Sequence, residues 1–138
     1  MNDVVDVARL WVGTPYLHQH STKGRGCDCL GLIRGVWRDL IGVEPELAPP
    51  YTPHWGDFRK EELLIDALSR WMTTSTGDVP GDVMVFRMRP GHIAKHCAIR
   101  SFDDKMIHAY QGAGCVTEHH LSAYWRSRMV AAFSYPEV

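Results

Sequence analysis

The 138-residue chain is long enough for one domain with its own hydrophobic core, and we expect residues 1–138 to form that single domain. It is 45% hydrophobic and 22% charged, with a formal net charge of −1 and no basic block or stripe. This composition predicts a globular protein that does not bind nucleic acid. No apolar run is long enough to span a membrane, so we expect no membrane insertion.

The chain begins with an apolar stripe at helical spacing, formed by Val4, Ala8, Trp11 and Val12. The stripe predicts a first helix with Asp3 as its N-cap, ended by the segment 13–16. The same first residues lack a basic start and carry Asp3 and Asp6, so they do not resemble a signal peptide. We therefore expect folding in a reducing compartment, where four cysteines are weak support for a disulfide framework.

Residues 26–33, which read Gly-Cys-Asp-Cys-Leu-Gly-Leu-Ile, place a cysteine at the start of a second helix. Apolar residues continue at helical spacing up to Gly42, namely Leu30, Ile33, Trp37 and Leu40. Cys29 falls in the first turn, where unpaired backbone N–H groups and the helix dipole favour an anion. Such positions stabilise a thiolate and lower cysteine pKa values to roughly 3.5–7.5. Cys29 is therefore a candidate nucleophile, with a small buried core residue as the alternative.

The middle of the chain predicts a proline-rich loop, a third helix and then strands. Four prolines lie between residues 43 and 56, and Trp55 in this loop is a candidate cover for a groove. Asp57 is a candidate cap for the third helix, whose apolar face is Leu63, Leu64, Ala67, Leu68 and Trp71. β-Prone runs follow at 82–88, 95–100, 105–110 and 129–135. Helices followed by strands predict an α+β fold, with N-terminal helices packed on a C-terminal antiparallel β-sheet.

The predicted strands supply a candidate base for the thiol. His96 and His108 lie on consecutive strands joined by a polar turn at 101–104. Their even separation puts both side chains on one face of a tight hairpin if the turn adds no bulge. A nucleophilic thiol needs a base within hydrogen-bond reach and a group that orients the base. Cys29, His96 and His108 form such a set, although each histidine taken alone is more often a structural residue.

The remaining cysteines and histidines have weaker functional interpretations. A zinc site is the alternative use of the set Cys27, Cys29, His96 and Cys97. Its Cys-x-Cys spacing departs from the common zinc-binding pairs, so we expect no metal and no cofactor. We expect Cys27 to be a small buried residue. His119 and His120 are adjacent and would point to opposite faces of a strand, and we expect both at the surface.

Six motifs, in order along the chain, carry a resemblance to a known family. They are Gly13-Thr14-Pro15-Tyr16, Asp28-Cys29-Leu30-Gly31-Leu32-Ile33, Gly81-Asp82-Val83-Met84-Val85-Phe86, His96-Cys97-Ala98-Ile99, Ile107-His108-Ala109 and Gly114-Cys115-Val116. One such motif would be weak, whereas the ordered set is specific. The chain resembles the NlpC-type cysteine peptidases, papain-like enzymes that cut the peptide stems of the bacterial cell wall. The resemblance implies a papain-like fold and peptidoglycan stem peptides as substrate.

The resemblance also implies a role for each of five residues. Cys29 corresponds to the nucleophile, His96 to the base and His108 to the third polar member. Tyr16 corresponds to a tyrosine near the oxyanion position. Asp28 corresponds to an aspartate that binds the free amine of an N-terminal L-alanine in some members. The bond that the family characteristically cuts joins γ-D-glutamate to meso-diaminopimelate, or neighbours that bond.

Two positions depart from the family pattern. Leu30 follows the nucleophile where many relatives have serine, which argues against recognition of a free N-terminal amine. Cys97 follows the base where an apolar residue is usual, and we expect this change to have little effect.

The segment 18–38 most resembles the short phage-tail branch of the family, which is found also in gene transfer agents. This implies an enzyme made in the bacterial cytoplasm without a signal peptide, assembled with tail-hub or tail-tip proteins, and active in the periplasm of the target cell. Two alternatives stay open: a structural tail-tip plug or adaptor, and a thiol acyltransferase. The intact Cys29, His96 and His108 argue against the plug. The lack of an amphipathic membrane helix argues against the acyltransferase.

Overall fold

The computed structural model of the protein describes residues 2–45 and 62–137 and has the expected α+β fold. Its helices are α1 (Asp3–Arg9), α2 (Cys29–Leu40), α3 (Leu63–Trp71) and α4 (Ala123–Arg126). Its strands are β1 (Ser21–Thr22), β2 (Gly26–Cys27), β3 (Thr73–Thr74), β4 (Val83–Phe86), β5 (His96–Arg100), β6 (Lys105–Tyr110), β7 (Cys115–His120) and β8 (Met129–Ser134). No helix in the described ranges has the length and apolar character needed to cross a bilayer.

The main sheet has six strands in the order β3-β8-β4-β5-β6-β7, and its paired neighbours are antiparallel. β1 and β2 form a separate two-stranded ribbon. The four runs that the sequence predicts correspond to β4, β5, β6 and β8 and are confirmed. The sequence does not predict β7, because residues 117–120 are polar and the strand lies at a sheet edge.

Alternate residues of the sheet pack into two separate clusters, as the two-residue period of a strand requires. One face meets the helical core that includes α1 and α2, through side chains such as Val85, Cys97 and Ile107. The other face carries Phe86, Ala98 and Met106 and is covered by Trp125 of α4. β5 therefore lies between the helical core and the α4 layer, and its first residue is His96.

The start of α2 confirms the predicted helix boundary and shows why glycine is needed nearby. Asp28 is the N-cap, and its Oδ1 accepts the backbone N–H of Gly31 at 2.7 Å. A Cβ at Gly31 would lie 2.0 Å from the His20 carbonyl oxygen, so a glycine allows this close approach of the preceding loop. A Cβ at Gly35 would lie 2.1 Å from the Trp11 ring. The His20 loop and the Trp11 ring therefore pack directly against the backbone of α2.

Three local predictions are wrong. Asn2 rather than Asp3 caps α1, since the Asn2 side chain accepts the N–H of Val5 at 3.2 Å. Val12 is 45% exposed because α1 ends at Arg9, so helical spacing no longer applies to it. Trp71 is 44% exposed because it is the last residue of α3, beyond the buried part of that helix.

Several predictions fall outside the described residues. They concern Asp57 as a cap, Trp55 as a groove cover, and the proline-rich loop from residue 46 onward. The apolar face of α3 is confirmed at Leu64, Ala67 and Leu68, which are buried.

Candidate active site

Cys29 is the first residue of α2, and its side chain is half-buried beside β5. Its Sγ lies 3.5 Å from the Lys95 carbonyl oxygen, and Cys97 and His96 of β5 both influence its ionisation. The Cys97 hydrogen bond is the largest influence on the pKa of Cys29; burial opposes it, and the hydrogen bond and charge of His96 add to it. Together they lower that pKa to about 5. A thiolate is therefore favoured, as the sequence predicts, but chiefly by a second thiol.

Cys97 is fully buried on the helical face of β5. Its own pKa is raised well above the ordinary value, first by the hydrogen bond to Cys29 and then by burial. Cys97 therefore keeps its proton and donates it in a hydrogen bond toward the Cys29 thiolate. The side chain at position 97 thus acts on the charge of Cys29, while the expectation that it has little effect on the reaction stays a prediction.

Three histidines, His96, His108 and His119, form a hydrogen-bonded histidine chain that begins beside the thiol. His96 Nε2 lies 2.7 Å from His108 Nδ1, and His108 Nε2 lies 2.8 Å from His119 Nε2. The histidine chain ends at the backbone, where His119 Nδ1 lies 2.9 Å from the His120 carbonyl oxygen. Burial, and then repulsion from His96 and His119, lowers the pKa of His108 to about 2. His108 is therefore neutral.

The β5–β6 hairpin explains how His96 and His108 meet. Its ladder pairs Ile99 with Ile107, and Asp103 in the turn adopts a left-handed conformation (φ 57°) that aspartate tolerates. His96 and His108 consequently lie on one face, diagonally across the two strands. The shared face that the even separation predicts is confirmed by their hydrogen bond.

The prediction of a surface position is wrong for His119. The β6–β7 ladder pairs Met106 with His119, which puts His119 on the same face as His108, half-buried. His120 is exposed, so the prediction of a surface position is confirmed for His120 and wrong for His119. His108 and His119 are eleven residues apart, and their shared face follows only from the length of the turn at Gln111–Ala113.

Trp125 of α4 covers the histidine chain. The centroid of its ring system lies 5.5 Å from that of His96, 5.0 Å from that of His108 and 6.2 Å from that of His119. Trp125 is itself buried. The hydrogen bonds of the histidine chain therefore lie beneath an aromatic side chain, which limits their contact with bulk water. No local sequence pattern connects this tryptophan with the histidines.

Tyr16 and Asp28 complete the surroundings of Cys29. Burial, and then the nearby Cys29, raises the pKa of Tyr16 to about 12, so its hydroxyl keeps its proton. Asp28 is buried, its Oδ2 accepts the N–H of Gln19 at 2.8 Å, and the same oxygen lies 3.7 Å from His18 Nδ1. The structure thus brings the five residues singled out from the sequence to one end of α2, with His108 reached through His96.

The other cysteine near this end does not compete as a nucleophile. Cys27 is fully buried, as predicted, and burial raises its pKa to about 12. Within residues 2–45 and 62–137, no group of three or more His, Cys, Asp or Glu side chains is arranged to hold a metal ion.

This arrangement supports one class of chemistry. A thiol with a lowered pKa at a helix N-terminus, an imidazole against it, and a polar group behind the imidazole are suited to nucleophilic attack on an acyl carbon. On an α+β scaffold, these features are typical of papain-like thiol hydrolases.

The chain belongs to the NlpC/P60 family, whose sequence profile matches residues 13–134. Members of this family are cysteine peptidases and hydrolases. The chain is 26% identical over 122 residues to the probable endopeptidase NlpC of Escherichia coli (strain K12), which covers 88% of this chain and 69% of that protein. It is 25% identical over 130 residues to the gamma-DL-glutamyl hydrolase of Bacillus subtilis (strain 168), covering 91% of this chain but 27% of that relative.

A solved structure supports the same fold. The NlpC/p60 domain of the peptidoglycan hydrolase SagA superposes with a TM-score of 0.65 at 23% identity, over 97% of this chain and 99% of that domain. This similarity confirms the α+β architecture that the sequence predicts.

Proposed function

We propose that this chain is a cysteine peptidase that hydrolyses amide bonds in the stem peptides of bacterial peptidoglycan. The observation that carries the proposal is the position of His96, which lowers the pKa of Cys29 on one side and is hydrogen-bonded to the buried His108 at 2.7 Å on the other. An imidazole in this position can exchange a proton with the thiol while a neutral neighbour orients its ring. Membership of the NlpC/P60 family supports the same chemistry.

The proposed reaction has two steps. The Cys29 thiolate attacks the amide carbonyl carbon, and the His96 imidazolium gives its proton to the leaving amine, so that an acyl thioester remains on Cys29. Water then attacks the thioester carbonyl with His96 as base, which releases the carboxylic acid and restores the thiolate–imidazolium pair. His108 keeps the His96 ring in one orientation during both steps.

We assign the stabilisation of the negatively charged oxygen to two donors. The backbone N–H of Cys29 belongs to the first turn of α2, where N–H groups have no acceptor within the helix. The Tyr16 hydroxyl stays protonated, since its pKa is raised to about 12, and can donate a second hydrogen bond. Donors already in place at the developing charge need no rearrangement during the reaction.

We infer that the bond cut joins γ-D-glutamate to diaminopimelate, or neighbours it. The motif resemblance supports this substrate, as does the similarity to a gamma-DL-glutamyl hydrolase. Asp28 lies one residue from the nucleophile, but it is buried and its carboxylate is held by the N–H groups of Gly31 and Gln19. We therefore assign it to fixing the start of α2 rather than to binding an ammonium group of the stem peptide. Leu30 offers no hydroxyl at the position where many relatives have serine.

The test is mass spectrometry of muropeptides from a Gram-negative wall incubated with the protein. Cys29→Ala removes the nucleophile, and Cys115→Ala is the matched control, because Cys115 is a free, half-buried cysteine on the edge strand β7. We expect new stem fragments from the unaltered chain and from Cys115→Ala, and none from Cys29→Ala. Cleavage by Cys29→Ala would overturn the assignment. Slow alkylation of Cys29 in mild acid, with no fragments from any sample, would favour the adaptor alternative.

We further propose that a phage-like tail delivers this peptidase. The support is the resemblance of the segment 18–38 to the phage-tail branch. In this proposal the chain is made in the bacterial cytoplasm, binds tail-hub or tail-tip proteins, and acts in the periplasm of the target cell. Phage-like particles purified by density gradient should contain the chain and release stem fragments from peptidoglycan. Particles without it would contradict tail delivery while leaving the peptidase proposal intact.

A further inference from the structure

His119 lies one hydrogen bond beyond the residues that the proposed reaction uses. We propose that His119 is a positioning residue that sets which ring nitrogen of His108, and through it of His96, carries a proton. The inference rests on the proposed function, because the proton position on His96 matters for catalysis only if His96 exchanges a proton with Cys29.

The backbone fixes the first proton of the histidine chain. A carbonyl oxygen only accepts hydrogen bonds, so His119 Nδ1, 2.9 Å from the His120 carbonyl oxygen, carries a hydrogen. A neutral His119 then has an unprotonated Nε2. That nitrogen lies 2.8 Å from His108 Nε2, so His108 Nε2 is the donor of this bond.

His108 extends the same direction to His96. Because the pKa of His108 is lowered to about 2, the ring is neutral, and a hydrogen on Nε2 leaves Nδ1 unprotonated. His108 Nδ1 therefore accepts from His96 Nε2 at 2.7 Å. His96 Nδ1 is then the nitrogen that remains to exchange a proton with Cys29. One backbone carbonyl thus sets the direction of every hydrogen bond in the histidine chain.

A donor at position 119 would reverse each of these bonds. His108 would accept at Nε2 and, being neutral, would donate from Nδ1 to His96 Nε2. His96 could then carry no proton on Nε2, so it could not form the imidazolium that faces the Cys29 thiolate. The proposed reaction is therefore incompatible with a donor at position 119 and is favoured by an acceptor there.

Packing holds His119 where its ring can accept the hydrogen bond from His108. The β6–β7 ladder puts it on the face of His108, and the Trp125 ring covers both residues. The hydrogen bond between the two rings is partly buried, which favours each ring as the other's hydrogen-bond partner over water.

The test uses three substitutions in the full chain and one matched control. His119→Gln can place an amide oxygen near the position of Nε2 and so keeps an acceptor. His119→Leu removes all hydrogen bonding, and His119→Lys provides only donors. His120→Gln is the control, because the same change falls on the neighbouring, exposed side chain. The readouts near pH 8 are the ¹⁵N signals of the histidine rings, the alkylation rate of Cys29, and kcat and KM for a stem peptide.

We expect His108 to carry its proton on Nε2 in the unaltered chain, in His119→Gln and in His120→Gln. His119→Leu should lose this single tautomer, and His119→Lys should shift it to Nδ1–H. In both, kcat should fall about 10–100-fold with KM unchanged, up to the lower end of the roughly 10²–10⁴ that a positioned general acid–base contributes. Unchanged tautomer and kcat in His119→Leu would overturn the inference. Equal losses in His119→Gln and His119→Leu would also overturn it, since they would indicate a steric role.

The tautomer and alkylation measurements need no stem peptide, so they separate this inference from the proposed function. If the His119→Leu signals change as expected but the unaltered chain cuts no stem peptide, the substrate assignment fails and the positioning role stands. If the unaltered chain cuts stem peptides and His119→Leu does so equally well, the positioning role fails and the peptidase stands.

Discussion

The thiol and the histidines of the site are held by different kinds of structure. The backbone position of Cys29 depends on residues close to it in the chain, since Asp28 caps its helix and Gly31 allows the His20 carbonyl to lie against that helix. The histidines come from the three strands β5, β6 and β7 and meet only when those ladders form. The thiol packs on the helical core, whereas the histidines lie on the opposite face of the sheet beneath Trp125.

This contrast separates two electrostatic tasks. On the thiol side, the Cys97 hydrogen bond lowers the pKa of Cys29 and favours the charged form. On the histidine side, burial lowers the pKa of His108 and keeps that ring neutral. Cys97 and His108 therefore carry no charge beside the pair of Cys29 and His96. Changes on the histidine side should alter turnover, and changes on the thiol side should alter stability or the ionisation of Cys29.

The largest effect should come from breaking the histidine chain at its centre. His108→Leu removes the acceptor 2.7 Å from His96 Nε2. It leaves the partly buried N–H of His96 unpaired, which lowers the stability of the folded protein by about 1–3 kcal/mol. The His96 ring then loses its preferred orientation. We expect kcat for a stem peptide to fall by about 100-fold or more, within the range of roughly 10²–10⁴ that a positioned general acid–base contributes.

His108→Asn is the matched control for this substitution. Its amide oxygen occupies about the place of His108 Nδ1 and can accept the His96 Nε2–H, so kcat should fall much less than in His108→Leu. An asparagine variant as slow as the leucine variant would contradict the role of the acceptor. Far-ultraviolet circular dichroism should be the same for both.

An intermediate effect is expected at the start of α2, and it concerns stability. In Gly31→Ala the new Cβ would lie 2.0 Å from the His20 carbonyl oxygen, so the loop or the helix must move. We expect the free energy of unfolding to fall by about 1–3 kcal/mol, as overpacked sites do. Denaturant unfolding measures this loss, and alkylation of Cys29 should also slow because the capped turn is displaced.

Gly35→Ala provides the comparison on the same helix. Its Cβ would lie 2.1 Å from the Trp11 ring, so this variant should also be destabilised. The contact lies more than one turn away from Cys29, and alkylation should keep its normal rate in the folded protein. Equal slowing in the two glycine variants would mean that the turn at Asp28 does not control the thiol.

The same contrast explains how much the sequence predicts. The start of α2 follows from signals within a few residues, namely Asp28, the glycines and the apolar spacing, and the predicted boundary is confirmed. His96 and His108 are also predicted to share a face, because the β5–β6 turn is short and polar and the parity of their separation is informative. Local chemistry and one tight hairpin therefore account for the predicted core of the site.

Three residues near the site, His119, Trp125 and Cys97, could not be assigned to it from the sequence. Their contacts depend on how separate elements pack, which no short segment indicates. His119 shares a face with His108 only because of the turn between β6 and β7. Trp125 contacts the histidines from α4, which follows β5, β6 and β7 in the chain. Cys97 points to the face opposite His96, and its contact with Cys29 depends on how α2 packs on β5.

The smallest effect is expected from Cys97→Val, which returns this position to an apolar residue of similar size. It removes the hydrogen bond that is the largest cause of the lowered pKa of Cys29, while the hydrogen bond and charge of His96 remain. A hydrogen bond to a charged group contributes about 1.5–3 kcal/mol, so the pKa of Cys29 should rise by about one to two units.

A higher pKa leaves less thiolate in mild acid, so the slowing of Cys29 alkylation in Cys97→Val should be largest at and below about pH 5, decrease above it, and be very small near pH 8. The measurement is the alkylation rate against pH, with Cys115→Val as control on the edge strand. An unshifted midpoint would mean that His96 and the helix N-terminus suffice to ionise the thiol. A shifted midpoint with normal turnover near pH 8 would show that Cys97 adjusts the charge of Cys29 while the histidine chain controls turnover.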